Sequence, residues 1–82
     1  MLAVDYKDDF LRTIAKIKDQ AFKERVKKQV EKILETPEVG KPMRYARKGT
    51  REVYVQPYRL SYAYLKSENK IIFLNIYHKN QQ

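Results

Sequence analysis

The 82-residue chain reads as an α+β protein, with a helical hairpin packed on one face of a small, mainly antiparallel sheet. Three observations carry that reading. Apolar residues recur with a helical period as far as Glu35, and beyond Pro42 the period changes to two. The connections between the later segments are short, which suits neighbouring antiparallel strands.

The elements follow in order. "LAVDY" (Leu2 to Tyr6) is β-compatible and is placed as an N-terminal edge strand. Phe10, Ile14 and Ile17 stand at i, i+4 and i+7, with Leu11 widening the apolar stripe, and Asp8 or Asp9 is positioned to cap the helix they define. A longer helix is expected from about Gln20 to Glu35. Its Phe22, Val26, Val30, Ile33 and Leu34 fall on one face about 120° wide. Asp19 is its N-cap, and Pro37 ends it because a residue before proline disfavours the α region. The other face alternates in sign. Glu24–Lys28 and Lys27–Glu31 have the spacing of intrahelical ion pairs worth about 0.2–0.5 kcal/mol each. That mixture marks a solvated face, not a membrane-binding or calmodulin-type helix.

"TPEVGKP" (Thr36 to Pro42) is a connection. Val53 and Val55 then alternate with Glu52, Tyr54 and Gln56. Past Pro57, Leu60, Tyr62 and Tyr64 alternate with Arg59, Ser61 and Ala63. Ser67 to Asn69 form a turn. In the last strand Ile72, Leu74 and Ile76 alternate with Phe73, Asn75 and Tyr77. The helices can cover only one face of this sheet, so the more apolar set (Val53, Val55, Leu60, Tyr62, Leu74, Ile76) is expected beneath them. The other set is left open: Glu52, Tyr54, Gln56, Arg59, Ser61, Asn75, Tyr77 and Lys79. Tyr58, Tyr62 and Tyr64 are expected in the core with wet hydroxyls, whereas Tyr54 and Tyr77 exceed what a core needs.

Composition narrows the function. Length bounds the chain to one domain over residues 1–82. There is no cysteine and one histidine, so neither a thiolate nor an all-histidine metal site is expected, and no cofactor is implied. The sequence contains no apolar run of signal or membrane-spanning length, so a soluble, cytoplasmic protein is expected. Residues 1–38 carry nine Lys/Arg against eight Asp/Glu, a net of +1, whereas residues 39–82 carry nine against two, a net of +7. The +8 of the whole chain therefore sits in the second half, interleaved with tyrosine. This pattern implies a polyanionic partner, either nucleic acid or an acidic protein.

Several enzyme classes drop out. "GKP" at 40–42 lacks the spacing and the Ser/Thr of a phosphate-binding loop. Neither Ser61 nor Ser67 lies in a nucleophile elbow. What remains is phosphate chemistry. "KPMRYARKGTR" (Lys41 to Arg51) supplies Lys41, Arg44, Arg47, Lys48 and Arg51 with no acid among them, the electrostatic footprint of nucleic-acid binding. RNA cleavage by 2′-OH attack needs an arginine at the phosphate and groups to move two protons, without a metal. Glu52, Tyr54, Tyr77 and His78 are the nearby candidates for the proton transfers.

"VGKPMRYARKGTREVYVQPYRLSYAY" resembles the signature segment of the RelE/ParE superfamily of toxins from toxin–antitoxin systems. Gly40-Lys41-Pro42-Met43, Gly49, Arg51, Val53, Val55 and Tyr58-Arg59-Leu60-x-Tyr62 fall on the family pattern without a gap, and the resemblance covers essentially the whole chain. It implies a β-α-α-β-β-β fold and an acidic antitoxin that wraps the toxin, with operator DNA reached only through that antitoxin. It also implies one of two activities, ribosome-dependent cleavage of mRNA in the A site or poisoning of DNA gyrase, with a degenerate toxin that only binds its antitoxin and their operator DNA as a third reading. Arg59 matches the arginine that holds the scissile phosphate, Arg51 matches a frequent basic position and is expected to hold that phosphate together with Arg59, and His78-Lys79 match the common "H-R" ending. Tyr54 stands where Arg or Lys is usual and Glu52 where the best-known nucleases carry lysine, and the family's C-terminal tyrosine has no counterpart. Each residue also has a plainer reading. Arg59 can pair with Glu52 across two strands, His78 can be a packing histidine, and Tyr54 and Tyr77 can contact the antitoxin. Arg44, Arg47 and Lys48 can act as long-range steering charges, and Gly49 can serve a turn.

Overall fold

The computed structural model describes residues 2–43 and 49–78. The order is β1 (Ala3–Tyr6), α1 (Asp8–Lys16), α2 (Gln20–Glu35), β2 (Lys41–Pro42), β3 (Thr50–Val55), β4 (Tyr58–Leu65) and β5 (Lys70–His78), with a 3-10 turn (Lys66–Glu68) before β5. The strands form one sheet in the order β1-β5-β4-β3-β2. β1 runs parallel to β5 and the other pairs are antiparallel. This is the expected α+β arrangement with one addition: "KP" forms a two-residue strand against Arg51 and Glu52, too short for any period to reveal.

The helices differ in how they begin. Asp19 caps α2 as expected, its Oδ1 accepting from the amides of Ala21 and Phe22 at 3.0 and 3.3 Å. α1 instead starts one residue ahead of the expected cap, at Lys7, with no side-chain cap. Asp8 and Asp9 therefore lie inside the first turn, where a negative charge favours the helix dipole, and Asp9 pairs with Arg12. Leu11 does not widen the buried stripe and is 50% exposed. α1 is short and leans on β5 through Phe10, which meets Phe73 at 5.6 Å between ring centroids, so Leu11 is rolled toward solvent. Neither ion pair expected on α2 is present among the described residues, since exposed pairs gain too little to order two long side chains.

The core lies between the helices and one sheet face: Phe10, Phe22, Val26 and Ile33 against Val55, Leu60, Tyr62, Ile71, Phe73 and Ile76. Leu74, expected in this set, is replaced by Phe73. The reason is a bulge. Ser61 faces Asn75 but Tyr62 faces Phe73, so one extra residue enters β5 and the alternation reverses before it. Ile71 and Phe73 thus join Ile76 on the helix side, a reversal that strict period two cannot express.

Tyr62 is fully buried, and its hydroxyl is enclosed, not wet. It donates to the Pro37 carbonyl at 2.7 Å and accepts from the Gly40 amide at 2.9 Å. A Cβ on Gly40 would lie 2.6 Å from that oxygen, which explains the glycine. Burial is the main reason the Tyr62 phenol is pushed above its ordinary pKa. Gly49 has φ +82° at the entry to β3, a backbone turn as expected. Among the described residues no helix is long and apolar enough to cross a membrane.

Candidate active site

Strand alternation sends Glu52 and Tyr54 of β3, Arg59 and Ser61 of β4, and Tyr77 of β5 to the face away from the helices. The register then sets who meets whom. Tyr54, Arg59 and Tyr77 lie in one row across three strands, and Glu52, Ser61 and Asn75 lie in the next. Long side chains bridge the rows. Arg59 Nη1 donates to Glu52 Oε1 at 3.1 Å, and the Tyr77 hydroxyl donates to Glu52 Oε2 at 2.6 Å. Arg59 Nη2 donates to the Tyr54 hydroxyl at 3.2 Å, with the guanidinium 5.0 Å from the Tyr54 ring centroid. Ser61, expected among the open residues, is buried: its small side chain sinks between longer neighbours and donates to the Asn75 carbonyl.

The cluster is held together but not saturated. Arg59 reaches the carboxylate through one nitrogen, not in the two-pronged geometry that a guanidinium prefers. Its second prong goes to a neutral phenol, and its Nε is buried without a hydrogen-bond partner. The side chains of Arg59 and Glu52 are about one-fifth exposed, 21% and 18%, so the pair is reachable from solvent. Burial, followed by the hydrogen bond to Glu52, pushes the Tyr77 phenol above its ordinary pKa. At neutral pH Tyr77 therefore keeps its proton, and Glu52 is the hydrogen-bond acceptor. An anion with two oxygens could satisfy the arginine better than its present partners do.

Lys41, opposite Glu52 in β2, belongs to this face and is exposed. Arg51 and His78 do not. Arg51 has the opposite parity; it donates to the carbonyls of Glu38 and Gly40 at 3.0 and 2.7 Å and lies 3.8 Å from the Glu38 carboxylate. Arg51 and Arg59, expected to share a phosphate, therefore stand on opposite faces of the sheet. His78 pairs with Tyr58, which packs on Phe22 of α2, and meets the Tyr58 ring edge-on at 5.6 Å. This places His78 on the helix face, separated from Arg59 by the sheet. Arg44, Arg47, Lys48 and Lys79 lie outside the described residues.

One neighbouring feature escaped the sequence reading. A groove of about 210 Å³ is lined by Arg25, Lys28 and Gln29 of α2 and by Tyr54, Val55 and Gln56. Its signal was available in the i, i+3, i+4 spacing of Arg25, Lys28 and Gln29, but read linearly those cations disappear among the glutamates.

The family model described as the ParE toxin of the type II toxin–antitoxin system (parDE) matches residues 4–82. No curated protein matches the sequence. Among solved structures, a chain of the intact E. coli RelBE toxin–antitoxin complex superposes with a TM-score of 0.79 at 16% identity, covering 95% of this chain and 96% of that one. The YoeB/ParE toxin from Agrobacterium tumefaciens gives 0.82 at 12% identity, covering 94% and 98%. A chain of the RelBE2 toxin–antitoxin complex from Mycobacterium tuberculosis gives 0.77 at 23% identity, covering 95% and 98%. At these identities the likeness is one of fold.

Proposed function

The chain belongs to the ParE toxin family of type II toxin–antitoxin systems, and from that premise we propose that it is a toxin that stops translation by cutting ribosome-bound mRNA. One observation carries the reading: Arg59, Glu52, Tyr77 and Tyr54 form a single bonded cluster on the sheet face that the helices leave open. In the proposed reaction the scissile phosphate takes the Arg59 fork. The 2′-OH gives its proton to Glu52 and attacks phosphorus, forming the 2′,3′-cyclic phosphate. The P–O5′ bond breaks, and Tyr77 protonates the leaving 5′-oxygen. Glu52 then returns its proton to the Tyr77 phenolate along the bond the two already share. Arg59 stabilises charge on the phosphorane, an effect worth about 10²–10³ in kcat for one donor.

The partner in this reading is an acidic antitoxin, which the net +7 of residues 39–82 would attract. The RelBE and RelBE2 toxin–antitoxin complexes lend it support. The test is primer extension on a defined mRNA in a translation reaction, with wild-type protein and Arg59→Ala side by side. Ribosome-dependent cuts in A-site codons that vanish in the variant are expected. Intact message and normal translation at equimolar toxin would overturn the proposal.

A second reading is a non-nuclease toxin that poisons gyrase. It is favoured by one specific finding, that the matching family model is that of ParE. Gyrase-dependent DNA breaks with uncut mRNA would establish it.

A further inference from the structure

Viewed around α2 at 100° per residue, its charges are sorted. Glu24, Glu31 and Glu35 share one stripe, while Arg25, Lys28 and Lys32 share the next, on the flank beside β3. Among the described residues none of these three cations has an ion-pair partner. The groove between this flank and the β3 edge is accessible because β2 covers only Arg51 and Glu52. Val55 supplies an apolar surface, Gln29 and Gln56 supply amides, and the ring of Tyr54 is one wall. Tyr54 is 55% exposed and belongs to both sites: Arg59 lies over its ring on the open face, and the groove borders it at the strand edge.

We propose that this groove seats a second nucleotide of single-stranded RNA, next to the one whose phosphate lies at Arg59, with its base against Tyr54 and its phosphate between Arg25 and Lys28. The inference rests on the reading of the Arg59 cluster as an RNA site. A strand leaving Arg59 passes over Tyr54, rounds the uncovered edge of β3 and meets the two cations. A nucleotide matches every part of the lining. Its phosphate takes the cations, its planar base takes the aromatic wall, and its polar edge takes the glutamine amides, which both donate and accept. An acidic peptide would use the cations alone.

The test is fluorescence anisotropy of a labelled, uncleavable 2′-O-methyl RNA oligonucleotide with the full chain across a salt series. Arg25→Ala/Lys28→Ala is expected to lower the slope of log affinity against log salt by about 0.7, roughly 5-fold in affinity at about 0.1 M salt, since the one single-strand phosphate held between them contributes about 0.7. Lys23→Ala/Lys27→Ala removes the same charge from the opposite side of the helix and is expected to shift the slope far less. Because Arg25 also lies over the Phe22 ring at 5.4 Å, Lys28→Ala alone, with a drop in the same direction but smaller than that of the double variant, guards against a folding artefact. Equal losses in both double variants, or none in the groove variant, would overturn the groove and leave the nuclease reading standing. So would a polyglutamate peptide whose binding depends on Arg25 and Lys28 as strongly as the RNA's does. Groove-dependent binding without mRNA cleavage would keep the groove and sink the nuclease. A wild-type chain that binds no RNA even at low salt would overturn both.

Discussion

Arg51 and Arg59 sit on adjacent strands, as do Tyr62 and Tyr77, yet the sheet divides each pair. On the helix face, Arg51 and Tyr62 bond to the backbone of the segment after α2, at Pro37, Glu38 and Gly40. On the open face, Arg59 and Tyr77 bond to a side chain, Glu52. Backbone partners cannot leave without undoing β2, whereas a side-chain partner can swing aside for a substrate. Identical residue types are thus tied to backbone on one face and to a solvent-reachable side chain on the other, and hydrogen-bond partner distinguishes them better than residue type.

The comparison can be broken most directly at the open face. Tyr77→Phe is expected to lower mRNA cleavage by about 10²–10⁴ and Arg59→Ala by about 10²–10³, read as single-turnover rates in the translation reaction, with near-wild-type urea midpoints. A large loss of stability in either would mean that this face is structural too. On the helix face the signature reverses. Tyr62→Phe strands the Gly40 amide and the Pro37 carbonyl and should cost about 1–3 kcal/mol. Gly40→Ala forces a Cβ onto the same hydroxyl at a similar cost. Arg51→Ala should weaken the fold in urea while leaving cleavage per folded molecule unchanged, and loss of cleavage alone would return Arg51 to the active site.

A smaller effect sharpens the contrast by pH. Both phenols have raised pKa values, Tyr62 through burial and Tyr77 through burial and then Glu52. Above the ordinary phenol pKa of about 10 the unfolded chain loses protons that the folded chain keeps, so this stabilisation is complete below about pH 10 and fades as pH rises through the folded values. The stability gap between wild type and Tyr62→Phe should therefore shrink as pH rises above about 10, and a constant gap would contradict the raised pKa. The smallest expected change is at Leu11. Half exposed as it is, Leu11→Lys should stay within about 0.5 kcal/mol.

Legibility followed the range of the interaction. The α2 cap at Asp19, the αL turn at Gly49 and the meander of β3 to β5 depend on near neighbours in sequence, and each was readable. The open-face membership of Glu52, Tyr54, Arg59 and Tyr77 followed from strand parity. Residue type and the family resemblance group Arg51 and His78 with Arg59, although their strand parity already opposes it. Phe73 was lost to the bulge, and the Arg25–Lys28 flank to reading a cylinder as a line.

The sequence by itself determined the two helices, the antiparallel sheet and the side of each β3 and β4 residue, because period and proline act locally and a strand has only two sides. Only the tertiary structure decided that Gly40 closes on Tyr62, that β5 changes side partway, and that Glu52 joins Arg59 to Tyr77. Those depend on register between segments distant in the chain, and register is set when whole surfaces pack, not by any residue's own preference.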